Sequence, residues 1–187
     1  MLNKLLIFFF IILSNFFLYY AYSDDQINFD VSQIEVLEGG NKVIGKKRGT
    51  ITTNDGVIIN ANEFEYDKIK NVLKAQGNIT INDEANDYII NSENILYLKD
   101  QEKIQIQGKS SSLLFLNYNF KSEDLTIYRD KLILESNKPT TIIDKKNQTL
   151  YEIGKFSYSI KDEILKADKI FINTKFNQPF SDKYFFK

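Results

Sequence analysis

Apolar and polar side chains alternate along most of this chain, and the alternation breaks and resumes at fixed intervals. Val57, Ile59 and Ala61 fall on odd positions; after the polar pair Asn62-Glu63, Phe64 and Tyr66 fall on even ones. A step of 31 residues gives Tyr88, Ile90, Ser92, Ile95 and Tyr97, with Glu93-Asn94 as the pause. A step of 30 gives Tyr118, Phe120, Ser122, Leu125 and Ile127, and a further 31 gives Thr149, Tyr151, Ile153, Phe156 and Tyr158. Stepping back 30 from the first gives Ile27, Phe29, Val31, Ile34 and Val36. Five copies in register make an internal repeat. Alternation with period two lays one face of a strand on a core. A parity switch across two polar residues adds a residue, as a β-bulge or corner does, so the same core face continues past a bend. The small residue before the switch in three copies (Ala61, Ser92, Ser122) suits the inside of a tight bend.

Between copies runs a second, weaker apolar series: Leu73, Ala75, Gly77, Ile79 and Ile81; then Ile104, Ile106 and Gly108; then Leu132 and Leu134; then Leu165, Ala167, Ile170 and Ile172. Short polar links join the two series, such as Asp67-Lys68, Arg129-Asp130 and Lys161-Asp162, and read as tight hairpins. The pattern therefore predicts an all-β, antiparallel, two-walled structure of stacked hairpins with a period of about 31 residues. Residues 37–55 read as the irregular part: a solvated hairpin with Lys46-Lys47-Arg48 at its tip, or, more sharply, a contact for phosphate groups. No stretch after residue 24 sustains a helical apolar period.

The first residues change the picture. Asn3 and Lys4 precede an apolar run over residues 5–18, followed by Ala21-Tyr22-Ser23 and then Asp24-Asp25. That is the layout of a cleavable secretory signal peptide over residues 1–23; an uncleaved anchor is the alternative. Residues 24–187 then form one exported domain, large enough for a sizeable core. The chain has no cysteine, so no disulfide can hold it together. Net charge is −1 with both signs interspersed, which gives nucleic acid no basic stripe to bind.

Candidate chemistry is sparse. There is no histidine, and neither a nucleophile elbow nor a phosphate-binding loop is present, so no catalytic residue, cofactor or metal ligand is assigned. Glu63, Glu65 and Asp67 alternate with Phe64 and Tyr66, which places these acids on the solvated face of a strand.

The segments Ile59-Asn60-Ala61-Asn62-Glu63-Phe64-Glu65-Tyr66 and Leu73-Lys74-Ala75-Gln76-Gly77-Asn78-Ile79, with echoes at residues 90–97 and 120–127, resemble the repeat of the OstA-like β-jellyroll family of lipopolysaccharide transport proteins. That family includes the periplasmic bridge LptA, the anchored LptC and the N-terminal domain of LptD; a cleavable leader fits LptA or LptD better than LptC. The resemblance covers about residues 27–175. It implies a periplasmic scaffold, with possible association with the outer membrane, that holds lipid A acyl chains between its walls. It also implies partners among other lipopolysaccharide transport proteins, joined by edge-strand pairing. On that resemblance the lipid groove is assigned to Ile59, Phe64, Tyr66, Ile90, Ile95, Tyr97, Phe120, Leu125 and Ile127, the inward positions of the middle copies. The same residues would also be inward in a closed sandwich with a dry core.

Two other readings stay open at this point. A polysaccharide-active parallel β-helix also has a long repeat, but would pair Ile59 with Ile90 in parallel. A secreted binding or adhesion module would use the same scaffold with a dry core. At the other end, Tyr184-Phe185-Phe186 reads as the first strand of a sixth copy.

Overall fold

The computed structural model describes residues 27–54 and 56–174. The leader, Asp55 and the start of the sixth copy lie outside them. The described residues form sixteen strands in one antiparallel network, with two three-residue 3-10 turns at Glu38–Gly40 and Lys99–Gln101.

The hairpin units are bent at their middle. The first unit shows how. β1 (Ile27–Leu37) pairs with β2 (Lys42–Thr53) along its whole length. The register shifts between Val31 and Gln33, where Ser32 stands opposite the two residues Lys47 and Arg48. β3 (Ile58–Ala61) and β4 (Glu63–Asp67) are the two halves of the next strand, broken at Asn62, and both pair with β2 and with β5 (Val72–Asp83). β5 pairs with β6 (Tyr88–Leu98), again with a shift, between Gln76 and Ile79. Beyond β6 the two halves are separate strands. The parity switch is thus a corner at which the chain passes from one wall to the other.

One wall continues through β7 (Lys103–Gln107), β10 (Asp124–Tyr128), β11 (Ile133–Ser136), β14 (Phe156–Ser159) and β15 (Ile164–Ala167). The other continues through β8 (Ser112–Phe115), β9 (Tyr118–Lys121), β12 (Thr140–Asp144), β13 (Thr149–Ile153) and β16 (Ile170–Thr174). We call these the first and second walls. The corners join the two walls along one margin and the hairpin turns end them along the other, an arrangement we call a V, with its fold at the corners and its tips at the turns. The predicted two-walled antiparallel jellyroll is what the chain adopts. Ile59 and Ile90 are not parallel partners: each pairs antiparallel with Ile81, which lies between them, and this excludes the parallel β-helix.

The sequence reading of residues 37–55 needs correction. Lys46, Lys47 and Arg48 are not the tip of a hairpin. They lie inside β2, at its corner, where Lys47 and Arg48 take left-handed backbone angles (φ 62° and 40°). Gln76-Gly77-Asn78 makes the corner of β5 in the same way, with φ of 76° at Gly77 and 47° at Asn78. A lysine-rich corner lacks the apolar alternation that reveals a strand, so β2 was hidden. Lys46 meets Glu35 at 2.8 Å across the strand pair, an exposed ion pair of small energetic weight.

The corners are closed by small buried groups. Ala61 is fully buried. Ser92 Oγ donates to the carbonyl of Asn94 or Gln107, each 3.0 Å away, and lies 3.0 Å from Ser111 Oγ. Ser122 and Ser136 hydroxyls meet at 3.1 Å one unit further on. A hydroxyl here satisfies a carbonyl that the bend removes from the sheet ladder.

Candidate functional site

The feature that could carry a function is the space between the walls. All nine residues singled out in the sequence face it, and all are buried, with exposures from 0 to 7%. They belong to one continuous apolar cluster that also takes in Leu73, Ile81, Ile106, Leu113 and Leu134 from both walls. In the middle units these side chains fill the interior.

The ends differ. At the first unit Phe29 and Val31 are half-buried against the core, while Ile34 and Val36 are 51% and 58% exposed. Among the described residues β1 pairs only with β2, β15 only with β14 and β16 only with β13, so both ends carry strands with a free side. At the opposite end the mouth of the V opens into a cavity of about 330 Å³ lined by Leu116, Tyr118, Phe120, Ile142, Tyr151, Tyr158, Glu163 and Leu165. Of the nine predicted residues, Phe120 lines this opening. Phe120 stacks on Phe156 with centroids 5.8 Å apart and lies at the same distance from Tyr158, so an aromatic wall continues the core to the opening. Burial pushes the Tyr151 and Tyr158 hydroxyls above the usual phenol range, so both stay neutral donors.

Along the tips of the V lies a cluster that the sequence reading did not find. Arg129 follows β10 with the inward parity of Leu125 and Ile127, and it reaches across the mouth. Its Nη2 donates to Asp83 Oδ2 of the second wall at 3.1 Å, and its Nη1 donates to Glu102 Oε2 at 2.8 Å and to the Tyr97 hydroxyl at 3.0 Å. Tyr97 in turn donates to Glu102 at 3.2 Å, and the guanidinium carbon lies 5.9 Å from the Tyr97 ring centroid. Asp83 is 1% exposed and Arg129 10%. Tyr88 sits beside this pair, and burial holds its hydroxyl and that of Tyr97 far above the usual phenol range. Asp83 also accepts from the backbone N–H and side-chain amide of Asn86, which fixes its carboxylate in its own turn. One unit earlier Lys99 occupies the place of Arg129; it is buried, with Nζ 5.8 Å above the Tyr66 ring. One unit later Ile160 takes that place, beside the apolar opening. Two signals in the sequence could have located the cluster. Arg129 continues an inward series past the end of its strand, and it is one of two arginines among 24 cations.

No group of acidic side chains among the described residues is arranged to hold a metal ion. Glu65 lies on the outer face between Lys42 (3.2 Å) and Lys74 (3.4 Å), whose ammonium groups hold its carboxyl below the usual range. This is the solvated ladder expected of an outward strand face.

No protein-family model and no curated protein matches the chain. Among solved structures, the crystal structure of LptH, described as the LptA homologous periplasmic component of the lipopolysaccharide transport device from Pseudomonas aeruginosa, is similar over 88% of this chain and 97% of that chain, at 10% identity and a TM-score of 0.31.

Proposed function

We propose that this protein is an exported scaffold for lipopolysaccharide transport, holding acyl chains between its two walls and passing them along its length toward the outer membrane. The observation that carries this reading is the continuous apolar interior that ends in an aromatic opening at Phe120, Tyr151 and Tyr158. The repeat's resemblance to the OstA-like family and the expected leader at residues 1–23 support it.

The physics of such a role is simple. Each methylene costs about 0.8 kcal/mol to expose, so a ~12-carbon chain costs roughly 10 kcal/mol to move through water. An apolar conduit removes that barrier without a chemical step. Handing the lipid on calls for a neighbour in line. The free side of β1, with Ile34, Val36 and Leu37 exposed, suits strand addition by another jellyroll, as do β15 and β16.

The filled interior of the middle units favours a second reading, a binding module with a dry core. Purification from a lipopolysaccharide-producing host followed by mass spectrometry of extracted lipid separates the two. Stoichiometric lipid A supports the conduit; protein free of lipid supports the dry module.

A further inference from the structure

We propose that Asp83, Arg129 and Glu102 form a latch that holds the mouth of the V shut, so that the interior of the middle units becomes accessible only when the latch opens. This rests on the lipid reading above and explains how residues that are buried in the closed form can serve it.

Three observations carry the proposal. The latch joins the two walls at their tips: Asp83 ends β5 on the second wall and Arg129 follows β10 on the first. It lies at the boundary between the filled units and the open one, since Tyr88 and Tyr97 behind it are buried while Leu116, Tyr118 and Tyr158 beyond it line the cavity. And it is an ion-paired cluster of one cation and two carboxylates set against an apolar core, where the unit before it has a buried Lys99 and the unit after it has Ile160.

The third point decides between a strut and a gate. A buried ion pair holds a structure no better than an apolar pair of equal volume, because both charges lose their hydration. An apolar seam is costly to open, since parting it exposes hydrocarbon to water. A charged seam recovers the hydration of the guanidinium and both carboxylates when it parts, which offsets the lost contacts. Glu102 is already 42% exposed, so water reaches one side of the latch in the closed form. The choice of arginine among so many lysines fits a group that must donate at once to Asp83, Glu102 and Tyr97 from a planar fork. The unit beyond, with Ile160 in place of the cation, has no such seam to open.

The test uses thiol accessibility, since the chain has no native cysteine. Ile95→Cys places a thiol at a buried inward position behind the latch. Its reaction with N-ethylmaleimide and with N-dodecylmaleimide is compared with and without Arg129→Met, in the full-length protein, with circular dichroism to check folding. A faster reaction with the small reagent in the variant is the expected result, and an unchanged rate in a folded variant overturns the latch. The lipid reading is judged separately, by the dodecyl reagent relative to the ethyl one. A preference for dodecyl supports it; a mouth that opens without that preference leaves the latch standing and removes the lipid. Arg129→Met leaves Asp83 buried without its cation, so Asp83→Asn/Arg129→Met is made in parallel. If neither variant folds, the cluster is a structural strut and the proposal falls.

Discussion

At the residue scale the fold depends on a few positions where only certain side chains fit. Gly77 has φ +76°, and a Cβ there would stand 2.7 Å from Asn62 Nδ2, inside the corner of β5. Gly56 has φ +84° but open space around it. Gly77→Ala is expected to destabilise by about 2 kcal/mol or more and Gly56→Ala by about 1 kcal/mol, the difference being the contact at the corner. Urea unfolding midpoints of the two variants read that difference. Leu116 runs the other way: it is 54% exposed and holds φ +51° in the turn between β8 and β9, a conformation that L side chains resist. Leu116→Asn should therefore stabilise by about 1 kcal/mol, measured in the same way. The inward residues were legible in the sequence because alternation reports burial directly. Arg129 was not, because a charge beside Asp130 reads as a solvated turn until the opposite wall is in place.

At the element scale the corner is the organising device. It lets one strand serve both walls, and it was legible wherever its neighbours were apolar. In β6 the buried positions are Tyr88, Ile90 and Ser92 and then Ile95 and Tyr97, as the parity switch predicted. It was illegible in β2, where Lys46, Lys47 and Arg48 fill the corner and glycines flank it. The hairpin turns are held by side chains of their own. Asp144 accepts from the backbone N–H groups of Asn147 (2.9 Å) and Lys146 (3.0 Å) and from the Asn147 amide (2.7 Å). These donors, led by the Asn147 N–H, hold its carboxyl below the usual aspartate range. The sign follows: a depressed value means stabilisation that is complete above the unfolded-state pKa of about 3.9 and is lost as pH falls through the folded-state value. Stability should therefore fall as the pH is lowered through and below the unfolded-state value. Asp144→Asn keeps an amide oxygen for the two backbone N–H groups, loses the bond from the Asn147 side-chain amide and does not titrate, so it should lower stability at neutral pH and make that limb shallower. Urea midpoints across the pH series check it.

At the scale of the whole molecule the interior changes along its length. It is half-covered at β1, filled in the middle and open at β13 to β15. Sequence alone located the apolar interior but not this gradient, because alternation reports which face is inward and is silent on how far apart the walls stand. The gradient also sets Phe120, which lines the opening, apart from the other eight predicted groove residues, which lie in the filled core. The most direct test of a lipid conduit places a photoreactive benzoylphenylalanine at Phe120 or Tyr158, which line the opening, and at Leu114, on the outer face of the second wall. Irradiation in lipopolysaccharide-producing cells should capture lipopolysaccharide at Phe120 and Tyr158 and not at Leu114. Capture at neither inward position, or equal capture at Leu114, would contradict the conduit.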